Sequence, residues 1–378
     1  MTQASLYQKR LAYVAQQLKA EEAALISKPT DIFYLTGFPQ LTPTEREAFL
    51  LIKPKQAILF QHSFSPTLPD KPWLKSITKN NFSEIALWLT NVEKLLIDES
   101  TLTVSEFRQL KQNTNLFLSL LDQKWFWQLR MIKDEYEIDL LKQAGLIATK
   151  VFCKIIRELK TGLTEQAVAQ QITTLISAEK TMGLAFPTIV AFGKNGAMPH
   201  YQPQNIKLKP ETPILIDFGV NFENYYSDMS RTIWFGKQPS AKFLKAEKAV
   251  KKAHQQVLAK LTTANLDLKN KKTDLKNSEE NTTKSTTKIE LTAKDLDQAA
   301  RGEIAQRGFA DQFIHTTGHG LGLEIHEPPS LSWQDHTPIK PNMVFTIEPG
   351  IYFPGEFGYR HEDTVLMTDQ GVKILTVT

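Results

Sequence analysis

The stretch His315-Thr316-Thr317-Gly318-His319-Gly320-Leu321-Gly322-Leu323-Glu324-Ile325-His326 gathers three of the chain's eight histidines, interleaved with glycines that permit tight turns and close backbone approach. Upstream, the apolar run Ile214-Leu215-Ile216 ends in Asp217, and Asp228 comes shortly before the run Thr232-Ile233-Trp234-Phe235. These segments read as adjacent strands joined through Asn221 to Tyr226, a hairpin that brings both aspartates to one place. Downstream, Glu348 follows Val344-Phe345-Thr346-Ile347, and Glu362 precedes Thr364-Val365-Leu366. Burying a carboxylate is costly unless a partner or a metal offsets the charge. Two Asp, one His and two Glu on separate strands supply what a pair of divalent ions needs, since carboxylates chelate or bridge and imidazole adds a neutral donor. Such a pair can hold a shared hydroxide and polarise a carbonyl, which is the chemistry of hydrolysis. The glycines lack the lysine and following helix of a phosphate loop.

Composition narrows the partners. Of 378 residues, 23% are charged and 41% hydrophobic, as in a soluble globular protein long enough for two domains. A formal charge of +4, with lysines scattered instead of gathered in an arginine-rich stripe, argues against nucleic acid. The single cysteine, Cys153, sits in an apolar helical pattern, excludes an intramolecular disulfide and reads as a buried inert thiol. The N-terminus has no signal-peptide core and no apolar run is long enough to span a membrane, so a cytoplasmic location is expected.

The elements that must position these residues follow from periodicity. Residues 4 to 20 have helical spacing, and strands are expected at Ala23 to Ile26, Phe49 to Ile52, Ala57 to Phe60 and Leu95 to Ile97, with helices near Phe82 to Leu89 and from Thr103. This alternating pattern marks a small α/β domain over 1–125 that carries no catalytic spacing. From Glu135 a long amphipathic helix presents Ile138, Leu141, Ala144, Ala148, Phe152, Ile155 and Leu159 on one side. Thr164 caps a second helix, and Thr292-Ala293-Lys294-Asp295 opens another with capping-box form. The paired openings Gly162-Leu163-Thr164-Glu165 and Glu290-Leu291-Thr292-Ala293 raise an internal repeat. Residues 264–288, almost all polar, read as a flexible surface insertion, with a short solvated helix over Leu266 to Leu275 as an alternative.

On these motifs the chain resembles the creatinase and methionine aminopeptidase, or pita-bread, superfamily (peptidase family M24), and within it the branch of bacterial proline dipeptidase (prolidase) and aminopeptidase P. The likeness covers residue 130 onward, with a weaker match through Tyr34-Leu35-Thr36-Gly37-Phe38. It implies an α/β (α+β) chain: a creatinase-like domain over 1–125, a linker at 126–134, and a pita-bread metallopeptidase domain over 135–378 carrying the 264–288 insertion. It also implies two divalent metal ions, Mn2+ first and Co2+ or Zn2+ as alternatives, on Asp217, Asp228, His319, Glu348 and Glu362. In that scheme Asp217 chelates one ion, Asp228 and Glu362 bridge, His319 completes the other site, and Glu348 also takes the proton of the attacking water. His200, in Gly193 to Tyr201, and His326 match the two active-site histidines of the branch. Arg360 matches an arginine that organises the site and is a candidate partner for a substrate carboxylate. His315 has no assigned role, and His361 stands where an aliphatic residue is usual and is expected to face away from Glu362.

The implied activity is metal-dependent hydrolysis of Xaa-Pro dipeptides by a hydroxide held at a dinuclear centre. The alternatives are an aminopeptidase P that releases the first residue of Xaa-Pro peptides, and an inactive peptide-binding or protein-binding member of the fold. Retention of all five ligand positions and both histidines argues against the last. The expected partners are a small Xaa-Pro peptide and a second copy of the chain in a homodimer, with no nucleic acid and no membrane.

Overall fold

The computed structural model describes residues 3–39, 45–79, 81–277 and 290–377, which divide into compact units Met1–Leu129 and Arg130–Thr378. In the first unit a mixed six-stranded sheet runs in the order Lys75–Ile77, Gln56–Gln61, Ala48–Lys53, Glu22–Ile26, Lys94–Ile97, Phe117–Leu120. Its core joins Leu25, Leu51, Phe60 and Leu95 of the sheet to Phe82, Ile85 and Leu110 of two covering helices. Asp31 to Thr36 belongs to helix Pro29–Thr36, which stops at Gly37 with φ 77°. Thr103 and Glu106 close a reciprocal capping box on helix Val104–Asn113. Part of the stretch expected as a linker is itself helical, Lys124–Met131.

The second unit is built twice over. Helices Glu135–Glu158 and Glu165–Ala178 cover the antiparallel sheet formed by Ile189–Phe192, Thr212–Phe218 and Met229–Phe235. Helices Ala241–Asn277 and Ala293–Gln306 likewise share a core with the sheet that contains Gly318–Gly320, Val344–Ile347 and Asp363–Thr368. The two helices opened by Thr164 and Thr292 are each 14 residues long and each threonine accepts a hydrogen bond from the third residue beyond it. The backbone bonds of the two openings also correspond. Leu208 N donates to Leu163 O as Ile339 N donates to Leu291 O, and Glu165 N to Ile206 O as Ala293 N to Thr337 O. The paired helix openings seen in the sequence are thus the starts of two matching half-domains.

This duplication places the acids. Asp217 lies at the end of the strand Thr212–Phe218 and Glu348 directly after Val344–Ile347, while Asp228 and Glu362 each directly precede the next strand. Within Thr212–Phe218, Ile214, Ile216 and Phe218 pack under the helices, so by strand alternation Leu215 and Asp217 face the other way. The link between the aspartates is a small hairpin, Val220–Phe222 with Tyr225–Tyr226, turning through Glu223 and Asn224 at φ 49° and 69°. Gly219 enters it with no room for a side chain, because a Cβ there would lie 2.0 Å from Ser227 O. Of the insertion expected at 264–288, the backbone to Asn277 continues helix Ala241–Asn277, and the rest lies outside the described residues. No helix among the described residues is long and apolar enough to cross a membrane. Cys153 is half-buried instead of buried, since it lies beside the inward stripe of Phe152 and Ile155.

Candidate metal centre

A cavity of about 930 Å³ in the second unit is lined by Asp217, Asp228, His319, Glu348 and Glu362, and also by His200, His315, His326 and Arg360. Strand pairing sets Ser230 opposite Asp217. Ser230 Oγ donates to Glu362 Oε2 at 2.7 Å and accepts from Arg360 Nε at 2.7 Å. Glu362 N donates to Ser230 O at 3.0 Å, and Glu348 N to Thr317 O at 2.8 Å, so backbone bonds fix both glutamates. His319 N is held by Thr346 Oγ1 at 3.1 Å.

His319 Nδ1 lies 3.1 Å from the carbonyl oxygen of Gly320, which can only accept, so Nδ1 carries the proton. Its Nε2 therefore presents a lone pair, 3.4 Å from Glu348 Oε1 and 3.8 Å from Asp228 Oδ2. Burial, with His326 beside it, lowers the His319 pKa to about 4 and keeps the ring neutral. The rings of His319 and His326 meet edge to face at 4.4 Å.

The carboxylates are crowded and dry. Burial raises Asp217, with Arg360 opposing, and burial raises Asp228 well above its ordinary value, reinforced by Glu362, Asp217 and Glu348. Glu362 rises well above its ordinary value through burial and the charges of Glu348 and Asp217. Burial carries Glu348 to about 7, with Asp217 adding and Arg360 opposing. Asp217 Oδ1 and Asp228 Oδ1 are buried with no hydrogen-bond partner. Donor atoms of Asp228, His319 and Glu362 lie within 4.8 Å of one another. Unneutralised acids, orphaned oxygens and an imidazole with its lone pair turned inward fit divalent cations.

Arg360 is bonded through each of its three nitrogens within the protein. Its Nε reaches Ser230, Nη1 the hydroxyl of Tyr352 at 2.7 Å, and Nη2 Asp217. Three of its five N–H groups are thereby directed to protein atoms, which ties it to Ser230, Tyr352 and Asp217. Tyr352 in turn donates to His315 Nε2 at 3.0 Å, while His315 Nδ1 donates to Thr316 O at 2.8 Å. His315 thereby belongs to the network behind Glu348. Tyr352 and Ser230 carried no signal of their own in the sequence, because their partners come from distant strands.

His200 and His326 are exposed on the cavity wall. The segment bearing His200 is tied down by buried Glu165. Its Oε1 accepts from Phe192 N at 2.7 Å and Asn195 Nδ2 at 2.8 Å, and its Oε2 from Tyr201 OH at 2.7 Å and Gln204 N at 2.9 Å. Glu165 carries no signal in the sequence beyond its place in a helix opening. His361 is absent from the cavity lining and turns toward His254 and Asp363.

Comparison with known proteins follows this geometry. The profile of metallopeptidase family M24 matches residues 139–272 and 273–369, and that of the creatinase/prolidase N-terminal domain matches 10–132. An uncharacterized peptidase of Staphylococcus aureus is 34% identical over 364 residues, 94% of each chain. The solved Xaa-Pro dipeptidase from Bacillus anthracis is 25% identical with a TM-score of 0.82, covering 99% of this chain and 98% of that one. An X-Pro aminopeptidase from Thermotoga maritima is 28% identical with a TM-score of 0.78, covering 97% and 98%.

Proposed function

The chain belongs to metallopeptidase family M24, with a creatinase-like N-terminal domain before a pita-bread catalytic domain, and from that premise we propose that it hydrolyses Xaa-Pro dipeptides. The observation that carries the reading is the convergence of Asp217, Asp228, His319, Glu348 and Glu362 on one cavity where two aspartate oxygens are buried unpartnered. The names of the two solved relatives support a proline-directed substrate. Two divalent ions, manganese before cobalt or zinc, would be held by these five residues and would supply an activated water and a polarised carbonyl.

The protein's own groups do the rest. Glu348 accepts the proton of the attacking water and returns it to the proline nitrogen as the bond breaks. An imide bond has no N–H, so the pocket needs no acceptor for it and must only admit the ring. His326 donates to the carbonyl oxygen as negative charge develops there. His200, on the segment held by Glu165, offers a second donor to the peptide. Arg360, through Asp217, Ser230 and Tyr352, keeps the carboxylates in register. Release of the first residue from longer Xaa-Pro peptides is the second reading, supported by the likeness to the X-Pro aminopeptidase.

Turnover of Xaa-Pro dipeptides and Xaa-Pro-Xaa tripeptides in the same metal separates them. Strong preference for the dipeptide is expected. Efficient tripeptide cleavage would select the aminopeptidase, and no cleavage of either by protein holding two ions would overturn the substrate assignment.

A further inference from the structure

His361 precedes Glu362 yet turns away from the cavity, and its ring meets that of His254 edge to face at 4.8 Å. Both imidazoles face one carboxylate oxygen: His254 Nε2 lies 3.1 Å and His361 Nε2 3.5 Å from Asp363 Oδ2. We propose that His254, His361 and Asp363 form a further metal site, separate from the five-residue centre, for a borderline divalent cation of the zinc type.

Four observations carry it. Zinc binds nitrogen and oxygen at about 2.0–2.1 Å, which sets neighbouring tetrahedral ligands about 3.3 Å apart, between the two distances seen here. All three donor atoms lie within 4.8 Å of one another. His254 is only 4% exposed, and its Nε2, 3.1 Å from Asp363 Oδ2, has no further hydrogen-bond partner among the described residues. Asp363 is already oriented: its Oδ1 accepts from Arg231 Nη2 at 2.6 Å and Thr376 Oγ1 at 3.0 Å, which leaves Oδ2 for the cation.

The donor set also separates the two sites chemically. Two imidazoles and one carboxylate favour zinc, cobalt or copper, whereas the four carboxylates and single imidazole of the cavity suit harder ions such as manganese. The His361 side chain is 20% exposed, which gives the cation and a completing water a path from solvent. Arg231 offsets the charge of Asp363, so this site binds more weakly than the carboxylate-rich centre and fills after it. Its ligands flank Glu362, so an ion here pins the segment that carries that glutamate.

The test counts ions. Manganese-loaded wild type, His254→Leu and His361→Leu are titrated with Zn2+, stripped of free metal and analysed for total bound manganese and zinc. Wild type is expected to hold one more ion per chain than either variant. Equal totals would overturn the site, whatever peptide the protein cleaves. Should both variants fail to fold, zinc-soaked crystals of wild type decide the matter: an anomalous peak between His254, His361 and Asp363 supports the site, and its absence there removes it.

Discussion

Glu348 differs from the other acids of the cavity in what surrounds it. Asp217 is tied to Arg360 and Glu362 to Ser230, whereas the nearest side chains to the Glu348 carboxylate include two histidines, His319 at 3.4 Å and His315 at 4.0 Å. Burial brings its carboxyl to about 7 in the protein without cations, so its charge is one that bound ions would restore. Glu348→Gln keeps the shape and removes the charge. Turnover of an Xaa-Pro dipeptide is expected to fall about 10²–10⁴-fold, the usual worth of a positioned acid or base. Metal content measured alongside tells lost ligation from lost proton transfer, and near-normal turnover would refute the role.

Among the elements, the segment from Phe192 to Gln204 depends on a helix it does not belong to. Glu165, fully buried in the first turn of Glu165–Ala178, accepts two backbone and two side-chain donors from it. In Glu165→Gln one acceptor oxygen becomes an NH2 facing donors, which leaves buried groups unsatisfied at about 1–3 kcal/mol each. Catalytic efficiency is expected to fall about tenfold or more as His200 loses its support, with the ions still bound. Unchanged kinetics would show that His200 does not need this anchor. Much of this architecture is legible in the chain itself. The amphipathic stripe after Glu135 and the caps at Thr164 and Thr292 are local signals, and the structure places each as expected. The exposed edge strand Phe117–Leu120 lacks a buried alternating pattern and escapes notice. Glu165, Ser230 and Tyr352 escape for another reason: their partners are set by strand register and packing, which no short motif encodes. The four acids of the centre are legible because each borders a strand-like run, where a charge needs an explanation, and His319 because it stands in a cluster of histidines interleaved with glycines.

Across the whole catalytic unit, the duplication draws Asp217 and Asp228 from one half and His319, Glu348 and Glu362 from the other into one cavity. Without cations these acids repel, and the consequence is a stability that depends on pH. A carboxyl whose folded pKa is raised binds an extra proton in the folded protein, so its contribution is full below the unfolded value and is lost as pH rises through the folded one. Glu348 moves from 4.5 to about 7, and Asp217, Asp228 and Glu362 move in the same direction. His315 and His319 act oppositely: lowered from 6.5 to about 4, they cost stability as pH falls below 6.5. The two trends compete until the unfolded imidazoles have lost their protons, about one pH unit above 6.5, and His326 and His361, also lowered, act with His315 and His319; beyond that the carboxyls act alone. Chelator-treated protein is therefore expected to lose thermal stability between pH 7.5 and 8.5, by about 2–4 °C for each kcal/mol in a domain of this size. Manganese-loaded protein should hold or gain stability over the same range, because the ions replace the protons and bind better as those protons leave. Calorimetry resolves the transition of the catalytic unit in both states. A melting temperature of the chelated protein that rises from pH 7.5 to 8.5 would mean that these acids are not held as a crowded, uncompensated cluster.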